Sequence, residues 1–315
     1  MFALCIESSH ARGMGHFFRA LNLVTALKRA GQACRIFIND HEPALRLLQS
    51  AGVAHVTVNL DDFESDWEGR LIKQENIHVW INDRLNTNAR HATKVKRQGI
   101  PLATFDDRGD GASLADVNIA ALAFDDSETL PGHRVLRGVD YLILNPEIAC
   151  YRRVRSHAER LLVTMGGSDT YGVTVKVVRH LRARGRAATV IIGPGFRHDA
   201  ELMEAINAEF EVKYGVPSLI AEFAHYDLAI TGGGITPFEA NASGLPCIVV
   251  ANEFFEVPVA RELARLGGSV FAGYHAGMDE SVLTHDLPVG AMSQAGIEHI
   301  GLEGADRVVR ELISL

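Results

Sequence analysis

The sequence repeats one pattern in each half: an apolar run, a glycine loop and then an amphipathic helix. In the first half Phe2–Ile6 is apolar, glycines follow at 13 and 15, and apolar residues then recur at helical spacing. In the second half the apolar run 161–165 is followed by further glycines and another such helix. Successive β-α-β-α runs predict parallel sheets with helices on both faces. The predicted fold class is therefore α/β, with two parallel-sheet domains facing each other across a cleft.

The length of 315 residues predicts two domains, because a single core rarely grows to that size. We place the N-terminal domain at 1–150 and the C-terminal domain at 151–315. The segment 146–160 is charged and lacks a strand period, so it is the predicted linker.

Further apolar runs predict strands at 34–38, 77–81, 117–120 and 141–144, and a basic segment predicts a helix at 88–98. Polar side chains follow several of the predicted strands. Because ligands of parallel sheets bind at the carboxyl ends of the strands, these side chains are the first candidates for a site.

The composition excludes several classes of protein. The net charge of −8 offers no electrostatic basis for a nucleic-acid partner. No apolar run approaches the roughly 20 residues of a membrane span, and no signal-peptide pattern is present, so we predict no stable membrane insertion and a cytoplasmic location. The four cysteines lie far apart without a C-x-x-C pair, which favours free thiols over disulfides or metal ligands. The sequence predicts no metal site and no cofactor.

The motif Gly13-Met14-Gly15-His16 places an imidazole where the first helix begins. Glycines allow a ligand to approach the backbone, and a helix N-terminus favours anions and a neutral imidazole. His16 is therefore a candidate general base, and the alternative is a histidine that only caps the loop. Among the other histidines, His10 is a weaker candidate.

Two glycine loops in the second half are candidate phosphate sites. Gly166-Gly167-Ser168-Asp169 offers backbone N–H groups and a hydroxyl, although Ser168 or Asp169 could simply cap the helix. Gly232-Gly233-Gly234 precedes Thr236 and, further along, Glu239, whose carboxylate could accept hydrogen bonds from two ribose hydroxyls. The alternative of a surface glutamate fits less well, because the helix around Glu239 is otherwise nearly uncharged.

Carboxylates at the strand ends complete the candidates. Asp83 and the pair Asp106-Asp107 follow apolar strands and could orient a base or water, or could cap helices and turns. His41, His91 and His198 lie in charged segments and are predicted to be solvated.

Together these segments resemble the glycosyltransferase-B superfamily, and specifically the pseudaminic-acid-pathway UDP-sugar hydrolase and its spore-coat polysaccharide relatives. The segments that carry the resemblance are Gly13-Met14-Gly15-His16-Phe17-Phe18-Arg19, Asp83, Phe105-Asp106-Asp107, 139–144, 166–169 and 227–234. The resemblance implies two Rossmann-like domains, a UDP-sugar as the ligand, and cleavage of the anomeric C–O bond with inversion.

The resemblance also implies roles for individual residues. His16 is implied as the catalytic base, with Asp83 beside it. The implied nucleotide-binding residues are Gly15, Gly166, Gly167, Ser168, Ile220, Gly233, Gly234, Thr236 and Glu239. The implied sugar-binding residues are Arg19, Asn252, Glu253 and Glu256. The sequence departs from the family after the last glycines, where Ile235 replaces a hydroxyl residue. It departs again after Asn252, where Glu253-Phe254-Phe255-Glu256 replaces an amide.

These observations predict a metal-independent nucleotide-sugar hydrolase. Water would attack the anomeric carbon, His16 would accept its proton, and backbone amides would stabilise the departing diphosphate. Two alternatives remain open at this point. The chain could pass the sugar to an acceptor hydroxyl as a glycosyltransferase, or it could be a non-catalytic subunit that binds a nucleotide-sugar. The sequence predicts no oligomeric state.

Overall fold

A computed structural model describes residues 1–8, 15–125, 127–167 and 169–315 of the chain, in two compact units. The first unit comprises Met1–Leu144 and Glu303–Leu315, and the second comprises Asn145–Leu302. The sequence prediction divided the chain at residue 150 and assigned everything after it to one domain. In the structure the last residues instead belong to the first unit, because the C-terminal helix Gly304–Ile313 buries its apolar face there.

The first unit contains a parallel sheet of seven strands in the order β3-β2-β1-β4-β5-β6-β7. The strands are β1 (Phe2–Ile6), β2 (Cys34–Ile38), β3 (His55–Thr57), β4 (Val79–Asp83), β5 (Leu102–Phe105), β6 (Val117–Ala120) and β7 (Val135–Arg137). The helices between them are α1 (Gly15–Arg29), α2 (Glu42–Ser50), α3 (Trp67–Gln74) and α4 (Ala89–Lys96).

The central strand β1 shows why helices cover both faces of this sheet. All five of its residues are buried, and successive side chains point to opposite faces. Phe2, Leu4 and Ile6 pack with α1 and the C-terminal helix, whereas Ala3 and Cys5 pack with α3 and α4. A strand that is apolar at every position is typical of a parallel sheet buried on both sides.

The second unit contains a parallel sheet of six strands in the order β10-β9-β8-β11-β12-β13. Its strands are β8 (Leu161–Thr164), β9 (Ala188–Ile192), β10 (Phe210–Tyr214), β11 (Leu228–Gly232), β12 (Cys247–Ala251) and β13 (Ser269–Tyr274). Its helices are α5 (Ile148–Tyr151), α6 (Val173–Ala183), α7 (Asp199–Ala205), α8 (Leu219–Glu222), α9 (Thr236–Ala242), α10 (Val257–Arg265) and α11 (Val289–His299). The prediction of two parallel α/β sheets is confirmed.

Several local predictions are wrong. The apolar run 141–144 is not a strand: a 3-10 turn at Val139–Tyr141 leads into a segment outside the sheet. The side chains of its last three residues are nevertheless buried, and the backbone at Leu142 approaches so closely that only glycine fits at Gly304. The run is therefore apolar because it packs against the start of the C-terminal helix. The strand β7 and the helix α3 escaped prediction.

The four cysteines are free thiols, as predicted. Cys5 and Cys247 are buried, Cys34 is half-buried and Cys150 is exposed. Within the described ranges, no helix combines the length and apolarity needed to cross a membrane.

Candidate functional site

Three side chains meet at the carboxyl ends of β1, β4 and β5 in the first unit. His16 lies in the first turn of α1, Asp83 is the last residue of β4, and Asp106 directly follows β5. Because β4 lies between β1 and β5, the sheet itself brings these strand ends together. The predicted elements therefore place the predicted residues side by side.

His16 and Asp83 form a pair of an imidazole and a buried carboxylate. The Nδ1 atom of His16 lies 2.6 Å from Oδ1 of Asp83, whose side chain is only 1% exposed. Because an ionised carboxylate only accepts hydrogen bonds, Nδ1 is the donor to Asp83, and in the neutral imidazole Nε2 then keeps a lone pair. In the described part of the chain no side chain binds Nε2, so this atom can accept a proton from a ligand.

Arg19 lies one helical turn after His16 and donates hydrogen bonds to the carboxylates of Asp83 and Asp106. Its Nε donates to Oδ2 of Asp83 at 2.7 Å, and one of its terminal nitrogens donates to Asp106. The guanidinium also lies over the ring of Phe105, 5.0 Å from the centroid. The resemblance implied a sugar ligand at Arg19, but here its hydrogen bonds go to the two aspartates.

The charges of this cluster stabilise one another. Burial alone would raise the pKa of Asp83, but Arg19 and His16 lower it to about 2. Burial likewise opposes the charge of Arg19, while Asp83 and Asp106 raise its pKa above the usual arginine value. Asp83 is therefore ionised near neutral pH, and it can stabilise a protonated His16.

Asp106, one of the carboxylates that the sequence places at the strand ends, is a member of this cluster. Its φ of 47° is in the left-handed region, which is uncommon outside glycine and recurs at functional sites. The neighbouring Asp107 holds the turn, since its Oδ1 accepts from the backbone amides of Thr87 at 2.9 Å and Gly109 at 2.8 Å. In the sequence this is visible only as a pair of aspartates after a strand. In the structure Asp106 faces the cluster and Asp107 supports the loop.

Some predicted residues lie outside the described part of the chain. Gly13, Met14 and His10 precede α1, and Ser168 follows β8, and none of these is described. Gly15 is the first residue of α1.

The prediction that His91 is solvated is wrong. His91 is 1% exposed and its Nδ1 lies 2.9 Å from Oε1 of Glu68, which is fully buried. Its Nε2 lies 3.2 Å from Oδ1 of Asn82, the residue before Asp83. Burial lowers the pKa of His91. Charged neighbours in the sequence of α4 suggested a surface helix, but one face of that helix packs on the sheet.

In the second unit, the loops after β8, β11 and β12 also adjoin, because these strands are neighbours in the sheet. A Cβ atom at Gly232 would lie 2.8 Å from Nδ2 of Asn252, and one at Gly233 would lie 2.7 Å from Cβ of Glu256. Gly234 faces open space. The first two glycines therefore allow the loop after β12 to pack closely, and the third leaves backbone open to a ligand.

The amide of Gly233, predicted to meet a phosphate, has a partner within the protein. It donates to Oε2 of Glu256 at 3.3 Å. The same oxygen accepts from the amides of Asn252 at 2.7 Å and Glu253 at 3.3 Å. Glu256 thus places a carboxylate oxygen in a group of three amides, whereas the resemblance implied a contact with the sugar.

Glu239 has the features expected of a ligand-binding carboxylate. It lies in α9, and no hydrogen bond or ion pair of its side chain is found among the described residues. Burial raises its pKa to about 7. A carboxylate in such surroundings lacks the hydrogen bonds that would stabilise its charge, and ligand hydroxyls could supply them.

The remaining predicted residues have varied surroundings. Gly166 adopts a left-handed φ of 77°, and a Cβ atom there would lie 3.3 Å from Oγ1 of Thr236. Asp169 accepts from the amides of Val173 and Thr174 at the start of α6, as the capping alternative predicted. Gly167 accepts at its carbonyl from the amide of Gly195, and Ile220 is buried in α8.

Aromatic residues surround Glu253 at the ends of β12 and β13. The hydroxyl of Tyr171 lies 3.4 Å from Oε2 of Glu253, and the ring of Tyr171 stacks on His275 with centroids 4.1 Å apart. Phe254 and Phe255 are 77% and 74% exposed. Exposed rings beside a carboxylate can contact the apolar face and the hydroxyls of a sugar.

Two proteins of known sequence are similar to this chain. MJ1062, an uncharacterized protein of Methanocaldococcus jannaschii, is 24% identical over 273 residues, and the match covers 79% of this chain but only 55% of that protein. The spore coat polysaccharide biosynthesis protein SpsG of Bacillus subtilis is 22% identical over 295 residues, which cover 89% of this chain and 86% of SpsG. No protein-family model matches the chain.

Solved structures are similar over the whole chain. MurG of Acinetobacter baumannii aligns over 100% of this chain and 99% of its own, with a TM-score of 0.72 and 14% identity. A glycosyltransferase of Rickettsia africae aligns over 99% and 98%, with a TM-score of 0.69 and 14% identity. The UDP-GlcNAc 2-epimerase of Neisseria meningitidis, solved with UDP-GlcNAc bound, aligns over 100% of both chains, with a TM-score of 0.63 and 11% identity. At these identities the similarity shows the fold.

Proposed function

We propose that this chain, which has the GT-B glycosyltransferase fold, transfers a sugar from a nucleoside-diphosphate sugar to an acceptor hydroxyl. The observation that carries the proposal is the hydrogen bond between Nδ1 of His16 and the buried carboxylate of Asp83, which leaves Nε2 without a partner among the described residues. The named structural neighbours include a glycosyltransferase and an epimerase with UDP-GlcNAc, which favours transfer over the hydrolysis predicted from the sequence.

In the proposed reaction Nε2 of His16 removes the proton of the acceptor hydroxyl as its oxygen attacks the anomeric carbon. The bond from that carbon to the phosphate oxygen breaks, and the nucleoside diphosphate leaves with the bonding electrons. Attack from the opposite face inverts the anomeric carbon. Asp83 stabilises the imidazolium that forms, a contribution of the kind worth roughly 10²–10⁴ in rate. Arg19 is a positioning residue, because it lies between the carboxylates of Asp83 and Asp106 and holds Asp83 in place.

We assign the nucleotide to the loops of the second unit. The carboxylate of Glu239 would accept from the two ribose hydroxyls, which would give it the partners it lacks among the described residues. The open backbone at Gly234, together with Gly166, Gly167 and Thr236, would contact the phosphates. UDP is the proposed nucleotide. Asn252, Glu253 and the aromatic rings around Glu253 would contact the sugar.

A chromatographic assay tests this proposal. The protein is incubated with UDP-GlcNAc, UDP-glucose and other UDP- and dTDP-sugars, with and without a panel of sugar and amino-sugar acceptors. We expect release of the nucleoside diphosphate that depends on the acceptor and on His16. Release without any acceptor would instead establish hydrolysis, in which water takes the place of the acceptor hydroxyl. Binding of the nucleotide without release in any mixture would favour the non-catalytic subunit.

A further inference from the structure

The loop after β12 places an anionic group where the proposed function needs a phosphate. Oε2 of Glu256 accepts hydrogen bonds from three backbone amides, at 2.7 Å from Asn252 and at 3.3 Å from Gly233 and Glu253. Converging backbone amides are the typical surroundings of a bound oxyanion. The position of Glu256 therefore shows that these three amides form an anion-binding group, which we call the amide nest.

One short segment supplies both the carboxylate of Glu256 and two of the three amides of the nest, those of Asn252 and Glu253. Glu253 and Glu256 cap each other's amides in a short 3-10 turn, which directs the side chain of Glu256 back towards Gly233. A side chain at Gly233 would overlap the Cβ atom of Glu256. Next to the nest, Oδ1 of Asn252 is buried and has no hydrogen-bond partner within the described residues. This Oδ1 atom is free to accept a hydrogen bond from a hydroxyl of a ligand that enters the nest.

The carboxylate in the nest is not neutralised by a cation. No lysine, arginine or histidine in the described part of the chain forms an ion pair with Glu256, and the charge of Glu253 acts on it as a like charge. Burial raises the pKa of Glu256, and the three amide hydrogen bonds act in the opposite direction. The nest therefore holds a charge that a ligand of the same sign could replace without leaving the amides unpaired.

We propose that Glu256 is an internal substitute for phosphate, and that a nucleoside diphosphate displaces it from the amide nest. This inference rests on the proposed function and deepens it. A phosphate oxygen takes the three amide hydrogen bonds, and the side chain of Glu256 leaves the nest. Glu256 is thus a specificity-determining residue: it lowers the affinity for any anion too weak to compete with a carboxylate, and it becomes available to the sugar only when phosphate is bound.

Two roles of Glu256 make opposite predictions for a glutamine variant. Glu256→Gln keeps an oxygen that can accept from the amides but removes the negative charge. If Glu256 competes with phosphate, the variant binds a nucleoside diphosphate more tightly, because like charges no longer repel each other near the nest. If Glu256 only supports the loop, the variant binds the ligand equally or less well.

Calorimetric titration with UDP at pH 8 separates these roles. We expect the Kd of UDP to fall roughly tenfold in Glu256→Gln, a size that the removal of one close like charge can produce. A matched control is Glu262→Gln, which removes one charge from α10 at a residue paired with Arg265. The control is expected to bind UDP as the wild-type protein does. An unchanged or higher Kd in Glu256→Gln would overturn the inference.

A crystal structure of the wild-type protein with UDP tests the same exchange without any substitution. We expect a phosphate oxygen within hydrogen-bond distance of the amide of Gly233 and the carboxylate of Glu256 outside the nest. Glu256 still bound to that amide in the complex would overturn the inference while leaving the proposed function intact. If neither the wild-type protein nor Glu256→Gln binds UDP, the proposed function fails and the inference fails with it.

Discussion

Asp83 ends β4 with its carboxylate 2.6 Å from Nδ1 of His16, a residue 67 positions earlier in the chain. Because the carboxylate accepts from Nδ1, the neutral imidazole has its lone pair on Nε2, the nitrogen that faces away from Asp83. Because Arg19 donates to the same carboxylate, the orientation of the imidazole depends on three side chains, those of His16, Asp83 and Arg19, rather than on one pair.

Asp83→Asn is expected to lower turnover by roughly 10²–10⁴ while leaving the Kd of UDP unchanged. An amide can present its NH₂ group to Nδ1 and so favour the wrong tautomer, and it cannot stabilise the imidazolium. The variant also leaves Arg19 with one carboxylate, so the free energy of unfolding should fall by about 3 kcal/mol. Kinetics, calorimetry with UDP and urea denaturation measure the three quantities. Turnover within threefold of the wild type would exclude Asp83 from the mechanism.

Glu239→Gln should stabilise the ligand-free protein at alkaline pH. Burial raises the pKa of Glu239 from 4.5 to about 7, so the folded state binds this proton more tightly than the unfolded state does. The stabilising contribution of the protonated group is complete below pH 4.5 and is lost as the pH rises through 7. Relative to the wild type, the variant should therefore gain stability across that interval, as urea denaturation at several pH values would show.

The same variant should bind UDP less well, because the ribose hydroxyls would lose a charged acceptor. We expect a loss of about 1–3 kcal/mol, the range for a hydrogen bond to a charged group. A parallel titration of Glu262→Gln gives the reference. Equal UDP affinity in Glu239→Gln and the reference would contradict the assignment of the ribose to Glu239.

His91→Leu should destabilise the protein strongly, because it leaves the buried carboxylate of Glu68 without its hydrogen bond at 2.9 Å. The expected loss is about 3–5 kcal/mol in the free energy of unfolding. Replacing both residues in Glu68→Leu/His91→Leu removes the charge as well, so the double variant should recover much of that loss. Denaturant midpoints of the wild type, both single variants His91→Leu and Glu68→Leu, and the double variant measure the coupling; losses that add in the double variant would show that the two residues do not act as a pair.

Glu253→Gln is expected to change the order in which nucleotide-sugars are used and to leave UDP affinity nearly unaltered. Its carboxylate lies beside the hydroxyl of Tyr171 and near two exposed phenylalanines, in the loop assigned to the sugar. Rates are measured with each UDP-sugar of the panel, so that the nucleotide stays the same and only the sugar differs. An unchanged order would place Glu253 outside the sugar site.

The parallel sheets could be predicted because the spacing and the proportion of apolar residues in a segment indicate which of its residues are buried. A strand such as β1 is apolar at every position, and the glycine loops and helices around it repeat in both halves. The strand-end positions of His16, Asp83 and the glycines 232–234 follow from that alternation alone. By contrast, 141–144 has the same apolar composition but packs outside the sheet, and a strand cannot be distinguished from such a segment without the tertiary structure.

The contacts within the site could not be predicted, because they join residues far apart in the sequence. The hydrogen bonds of Arg19 to Asp83 and to Asp106 span 64 and 87 positions and depend on how α1 packs over β4 and β5. The bond from Gly233 to Glu256 depends on a short turn that brings a carboxylate back to a glycine 23 positions away. Sequence patterns identify the donors and acceptors but not these pairings.

His16→Asn tests the base itself. Asparagine keeps a hydrogen-bonding group of similar reach but cannot accept and release a proton near neutral pH, so turnover should fall by roughly 10²–10⁴. UDP should still raise the Tm of the variant, because the residues assigned to the nucleotide are unchanged and a ligand that binds only the native state stabilises it. The stabilisation by UDP also serves as the control for folding. A histidine that only caps the loop would be replaced adequately by asparagine. Near-normal turnover in a variant that UDP stabilises normally would therefore remove His16 from the mechanism, and with it the main reason to regard this chain as an enzyme.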